Sequence, residues 1–578
     1  MKQRKINLII LNISIILLAI IGMSSCRKFL DYTPKGTVTA SDLTTPTAAD
    51  QLVIAAYASL GNSDWENPIG SMWLYGSIRS DEAFKGGGAI TDNVEFNQLE
   101  QYNQITTDMS CIDLEWVTLF AGVARANVAL RAIDNLSVTE YPNKLERQAE
   151  CRFLRGHFYF LLKELYKYVP YADETVSTDS LPLLSNRLYS NDSLWDKIAD
   201  DFQFAADNLP ATQSDVGRPT KWAADAYLAK VRLYQAYEQD GTNQVTSINT
   251  QDLEDVVALT DSVIQSGKYS LFPNYADNFT LENENGPESI FAIQYSINDG
   301  TQIGRLNMDD AVSYSISPLY GCCSFHLPSQ NMVNIFKTDA DGLPEFGYYN
   351  DTSLLTESDY MNNGIDPRLD NTCAIPGHPF KDQPDVIFDS SWVRVPQIYG
   401  YHDCMKEILP ANSPGLTKVG PFFGSSKNID IIRYDDVLLW RAEALIQLGQ
   451  QDEALPLINE LRTRAANSPV KTADGSNASN YRINTYQPGV NCTWTQAYAF
   501  EALQYERRLE FGMEGTRFFD LVRWGVAADT LNNFISVAKT RFNFLKDAQF
   551  TKGRDEYLPI PQAEINLTHG LYKQNNGW

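Results

Sequence analysis

Residues 506–525 read Glu506-Arg507-Arg508-Leu509-Glu510-Phe511-Gly512-Met513-Glu514-Gly515-Thr516-Arg517-Phe518-Phe519-Asp520-Leu521-Val522-Arg523-Trp524-Gly525. Charges alternate here with Leu, Phe, Val and Trp, so packing the apolar groups draws the charged ones inward as well. Glu506, Arg507, Arg508, Glu514, Arg517, Asp520 and Arg523 therefore read as a buried or half-buried ion-pair network that joins helices. Guanidinium supplies the planar donor fork such a network needs. The stretch is structure before it is chemistry.

Upstream, Tyr434 to Ala465 reads as a helical hairpin. Val437, Leu438, Ala442, Leu445 and Ile446 recur at helical spacing, Gly449 supplies the left-handed turn that ends the helix, and Ala454, Leu457, Ile458 and Leu461 form the next stripe. Its Leu-Gly and small-residue pattern resembles a tetratricopeptide unit. The spacing predicts three further pairs: Ala48 to Leu60 with Asp113 to Ala132, Lys144 to Tyr168 with Ser193 to Asn208, and Thr220 to Tyr237 with Gln251 to Gln265. Residues 61–110 are inserted inside the first. From 271 to 430 the helical period fades into Gly, Pro, Asn and aromatics, with a strand at Ser289 to Tyr295 and a short helix at Gln330 to Lys337. Loops this long inside a compact chain usually carry function.

The chain of 578 residues carries a net charge of −25, which argues against nucleic acid as a partner, because phosphate neutralisation needs clustered Lys and Arg. Aromatic residues make up 12%, with 30 Tyr and 10 Trp, more than a helical core needs, so some rings should be surface platforms. Met1 to Lys5 is basic and Ile6 to Gly22 is apolar, the two regions of a secretion signal. Met23-Ser24-Ser25-Cys26 follows and looks like a lipobox. Residues 1–25 then form a lipoprotein signal peptide, and Cys26 is the lipidation site. A membrane-spanning anchor and an ordinary cleaved leader are the other readings. Seven further cysteines, an odd number without close even spacing, imply no disulfide scaffold. Cys151 reads as a small buried apolar residue. No Pro/Gly/Ser-rich linker divides residues 26–578, which read as one unit.

The 506–525 stretch resembles the C-terminal signature of the SusD/RagB family of nutrient-binding outer-membrane lipoproteins. Ile431 to Ala444 is similar to that family's IRYAEVLLMYAEA-type helix, and Ile458 to Ala465 continues it. Tyr557-Leu558-Pro559-Ile560-Pro561-Gln562-Ala563-Glu564-Ile565-Asn566, followed by Gln574-Asn575, is similar to its closing segment. Asp366-Pro367-Arg368-Leu369, Asp341-Gly342 and Phe29-Leu30-Asp31 fit as well. The resemblance implies a mainly α, SusD-like fold in which four TPR-like pairs (about 45–270 and 430–525) form one face and an irregular region (about 271–430) builds much of the ligand site. It also implies an oligosaccharide ligand, a SusC-like TonB-dependent transporter as partner, attachment to the outer membrane through the lipid, no cofactor and no catalysis. An outward-facing location is implied by the family, since Arg27 and Lys28 open the tail and Asp31 comes late.

A sugar site needs rings for its CH faces and Asp, Asn, Arg or Gln for its hydroxyls. Two segments supply the mixture. Residues 65–102 hold Trp65, Trp73, Tyr75, Phe84, Phe96 and Tyr102 among Asp81, Glu82, Lys85, Asn93 and Asn97; residues 295–401 hold Tyr314, Tyr320, Phe325, Trp392, Tyr399 and Tyr401. Ser80-Asp81-Glu82 looks like the family's T/S-D-E element, after which many members place a ligand loop. Starch binders carry tryptophans just downstream, where this chain has Glu95-Phe96-Asn97. The expected contacts are Trp73, Asp81, Phe96, Tyr102, Tyr320 and Trp392.

Cys322, Cys323, His326, Cys373, His378, His402 and Cys404 share one region, but their spacings match no familiar metal set. Gly86-Gly87-Gly88 reads as a flexible loop rather than an anion cradle. A peptide-binding family member, a glycoside hydrolase working with two carboxylates and a protein-docking scaffold remain as alternatives.

Overall fold

The structure is a computed structural model that describes residues 45–578 except 303 and 382. The leader, Cys26 and Phe29-Leu30-Asp31 lie outside the described residues. The expected pairs form from eight helices: α1 (Pro46–Tyr57), α2 (Ser110–Asp134), α3 (Lys144–Tyr166), α4 (Asn191–Asn208), α5 (Lys221–Ala236), α6 (Thr250–Gln265), α7 (Tyr434–Gln447) and α8 (Gln451–Ala466). They pack in the order α1 with α2, α3 with α4, α5 with α6, and α7 with α8, and successive pairs stack on one another.

Local chemistry explains the starts and stops. Thr45, Ser190, Thr220 and Asn249 each accept a main-chain N–H at the start of α1, α4, α5 and α6. Gly449, at φ 77°, ends α7. Close approach between helices depends on glycine at two points. A Cβ on Gly122 would stand 2.6 Å from the Phe158 ring, and one on Gly156 would stand 2.8 Å from Phe202. Helix α2 is long and apolar enough to cross a membrane, but most of it is buried against its neighbours.

Among the described residues, strands pair only two by two. The expected strand forms over Ser289–Ile293 and pairs with Ile429–Arg433, which runs directly into α7 and so ties the irregular region to the helical face. The helix expected over Gln330 to Lys337 stops at Asn334, and Lys337–Thr338 instead pairs with Gly364–Ile365. Within the 61–110 insertion, Ala83–Gly86 pairs antiparallel with Phe325–Pro328, placing Gly86 opposite Phe325, and a helix follows at Val94–Gln101.

The opening stretch forms a helix, Gln496–Phe511, a turn, and a second helix, Arg517–Arg523. All seven of its named charges are paired. Arg507 and Arg523 hold Asp520 at 2.6 and 2.8 Å, Arg523 also holds Glu443, and Glu514 pairs with Lys406 at 2.7 Å and with Arg433. Arg508 and Arg517 grip Asp81 at 3.1 and 3.0 Å. Arg368 of the Asp-Pro-Arg-Leu motif reaches Asp366, Glu506 and Glu510 at 2.7 to 2.9 Å with its side chain fully buried. Removing one member of such a set strands a buried charge, at about 3 to 5 kcal/mol.

Cys322 and Cys323 are joined by a disulfide, while Cys111, Cys151, Cys373, Cys404 and Cys492 are free thiols. Cys151 lies fully buried in α3. Among the described residues, no three His, Cys, Asp or Glu side chains converge as a metal set.

Candidate functional site

The Ser80-Asp81-Glu82 element is folded inward. Asp81 is 2% exposed, and its carboxylate also accepts from Asn331 at 3.1 Å. Burial alone would raise this carboxyl, but Arg508 and Arg517 outweigh it and hold the pKa at about 2. Glu82 shares the site with weaker compensation, and burial pushes it up to about 7.

Five of the six expected contacts, Trp73, Asp81, Phe96, Tyr102 and Tyr320, are buried. Trp73 is fully buried, donates its indole N–H to the Asp309 carbonyl at 2.9 Å and packs edge-on to Phe96. Phe96 is 1% exposed, between Trp65 and Trp73. The Tyr102 hydroxyl donates to the Arg79 carbonyl, and that of Tyr320 donates to the Leu409 carbonyl at 2.8 Å. Asp81 completes the five. In each case packing or an internal partner uses the surface a ligand would need. Trp392 alone is half-open, its ring edge-on to Phe380 and Phe388.

Three loops meet at Ser324, and a hairpin packs against one of them. The Ser324 carbonyl accepts from Gly87 N–H at 2.6 Å, its N–H donates to Tyr314, its hydroxyl donates to the Trp392 carbonyl, and Arg394 N–H donates back to that hydroxyl. Ile316 N–H reaches the same Trp392 carbonyl at 3.0 Å. The hairpin of Leu416–Val419 and Phe422–Ser425 joins through Phe423, which packs on Tyr314 and Tyr320, while its neighbour Phe422 meets Trp65 at 5.6 Å between centroids.

Trp65, Phe422, Trp392 and Cys322 are left half-buried, and Leu319 and Tyr401 are exposed. Arg394, two residues after Trp392, pairs with Asp92 at 3.0 Å, with 44% and 37% of the two side chains open to solvent. Asp92 also accepts Gly88 N–H at 2.7 Å, which turns its carboxylate toward the arginine. Gly86-Gly87-Gly88 is packed rather than loose. A Cβ on Gly86 would lie 2.2 Å from the Ser324 carbonyl oxygen, and one on Gly88 would lie 2.9 Å from the Arg394 guanidinium.

Half-open rings, a carboxylate and a guanidinium are groups that can stack on sugar CH groups and bond hydroxyls in a reversible complex. Trp65, Asp92, Arg394 and Tyr401 lie within the two segments singled out by composition, though Asp92 and Arg394 were not themselves picked out, and Phe422 lies outside both. A separate cavity of about 100 Å³ is lined by Phe84, Asn331, Asn334, Asn350, Phe534 and Arg541, among others. Its amides are engaged with one another: Asn334 donates to Asn350, and Asn350 to Asn331.

Residues 287–578 match the family model described as SusD family, and residues 28–233 match the one described as starch-binding associating with outer membrane. The chain is similar to SusD-like protein P25 of Formosa agariphila, 22% identical over 595 aligned positions that cover 98% of this chain and 99% of that one. Among solved structures it is similar to a laminarin-binding SusD-like protein, with TM-score 0.64, 23% identity, and 93% and 100% of the two chains covered. It is also similar to surface glycan-binding protein A from Bacteroides thetaiotaomicron in complex with laminarihexaose, with TM-score 0.65, 21% identity, and 92% and 100% covered. At these identities the structural likeness establishes the fold.

Proposed function

The chain belongs to the SusD family, and on that premise we propose that it binds a nutrient oligosaccharide at the cell surface and delivers it to a SusC-like TonB-dependent transporter. A lipid on Cys26 holds it to the outer membrane, facing outward. Binding is non-covalent and leaves the glycan intact.

What supports this reading is the half-open ring of Trp392, two residues from Arg394 of the exposed Asp92–Arg394 pair, together with the half-open Trp65–Phe422 ring pair. Rings supply affinity by covering apolar sugar faces, and the charged pair supplies orientation by bonding hydroxyls. Trp392 is retained from the expected contacts. Two structures of the same fold carry laminarin or laminarihexaose in their names, so β-linked glucans are the first probes.

The test is a binding panel of plant, host and microbial polysaccharides and peptide digests, with product analysis, on wild type and on Trp65→Ala, Phe422→Ala and Trp392→Ala. Retention of one intact glycan class, weakened about tenfold or more by each substitution, is the expected result. Release of shortened sugars would make the protein a glycosidase, and selective retention of peptides would make it a peptide binder. Normal binding by all three variants would move the site elsewhere.

A further inference from the structure

Lys85 lies in the Ala83–Gly86 strand that leads into the loop carrying Asp92, with a fully buried side chain. Its ammonium donates to three main-chain carbonyls of that same loop: Gly86 at 2.9 Å, Ala89 at 3.0 Å and Asp92 at 2.6 Å. A neutral amine has only two N–H donors, so three acceptors at these distances describe an ammonium ion. Phe325 and Tyr399 place their rings 5.1 and 5.5 Å from it, a favourable setting for a cation.

The charged groups around it are few. Glu100 of the Val94–Gln101 helix accepts the main-chain N–H of Lys85 at 2.8 Å, and its other carboxyl oxygen has no partner. Asp92 directs its carboxylate away, to Arg394 and Gly88. Burial lowers the Lys85 pKa and raises that of Glu100, while the carbonyl cage favours the charged lysine beside a neutral glutamic acid.

The geometry points to Lys85 as the positioning residue of the proposed glycan site, an internal cation around which residues 86–92 fold so that Asp92 meets Arg394. This rests on the site described above. Apart from the Gly87 bond to Ser324 and the Asp92 contacts with Gly88 and Arg394, the loop has no core of its own: it contributes no apolar side chain as large as Leu except the exposed Ile90. Carbonyls that close on an ammonium replace the missing core. Arginine is a poor substitute, because its planar fork does not match three converging oxygens.

The experiment compares wild type, Lys85→Met and Lys85→Ala by amide hydrogen exchange over residues 87–94 and by affinity for the glycan found in the panel, with Trp65→Ala and Trp392→Ala as controls. Lys85→Met is expected to speed exchange in this loop at least tenfold, to leave exchange in α3 and α7 unchanged, and to weaken glycan binding about tenfold. Ethylammonium added to Lys85→Ala should restore both, since a small cation can refill the cage; a purely packing role would not respond to it. If Lys85→Met fails to fold, Lys85→Gln, which keeps two donors, takes its place with an intermediate effect expected. Loop exchange identical to wild type in the variants would overturn the inference. If the tryptophan controls bind normally while the loop loosens, the positioning role stands and the site reading fails; the reverse result refutes Lys85 alone.

Discussion

Replacing Asp81 with Asn separates a structural carboxylate from a ligand contact. The wild-type side chain is 2% exposed and receives Arg517 at 3.0 Å and Arg508 at 3.1 Å. Holding it at about 2 rather than its ordinary 3.8 corresponds to roughly 2 to 3 kcal/mol of folding free energy. Because the folded-state pKa is lowered, this stabilisation is present above about pH 4 and is lost as pH falls through about 2. The amide preserves shape but removes the charge and turns an NH₂ toward guanidinium, so a loss of about 3 kcal/mol is expected at pH 7.

Glu82 adds a second signature. Its pKa is raised to about 7, so its contribution is present below about 4.5 and is lost as pH rises through about 7. In Asp81→Asn the neighbouring negative charge is gone and two arginines lack their carboxylate. Glu82 therefore ionises more easily, and the decline in stability from pH 5 to 7 becomes shallower. Urea unfolding at pH 5, 6, 7 and 8, read by circular dichroism, measures both effects, and calorimetry at pH 7 measures glycan affinity. The reasoning predicts a destabilised variant whose affinity stays within about twofold of wild type. A variant as stable as wild type that loses binding would refute it and return Asp81 to the ligand site.

Trp73→Ala and Tyr320→Ala should each cost about 3 to 5 kcal/mol of stability, because a buried ring leaves a cavity and a carbonyl loses its donor; urea unfolding checks this, and unchanged stability would contradict their interior placement. Gly122→Ala gains about 1 kcal/mol of helix propensity but drives a Cβ to 2.6 Å from the buried Phe158 ring, at about 1 to 3 kcal/mol. A net loss of about 1 kcal/mol is expected in thermal melts, and a stabilised variant would show that α2 and α3 can separate cheaply. Cys26→Ser should move the protein from the membrane fraction to the soluble fraction, and retention would favour a spanning anchor.

Much of the helical half was legible in the chain order. The stop at Gly449 and the 3.6-residue apolar period act within a few residues, so the four pairs could be read to within a turn of their ends. The ion-pair network of residues 506–525 was legible too, because charges embedded among large apolar groups must be paired where they are buried. Its partners were less so: Arg368 lies 138 positions from Glu506, and no local pattern links them.

The site was legible only as two segments. Trp65 and Trp73 sit eight positions apart in similar company, yet one is half-open against Phe422 and the other donates to Asp309 from the core. The same division separates Asp92, open beside Arg394, from Asp81, enclosed by Arg508 and Arg517. Residue type and periodicity determined the helices, and motif resemblance pointed to the family, since both depend on neighbours along the chain. Which rings face solvent was decided by how loops from residues 86–97, 314–325 and 389–401 meet at Ser324 and how the 416–425 hairpin packs on Tyr314 and Tyr320. Exposure belongs to that assembled surface, and contacts between distant segments leave no mark in local sequence.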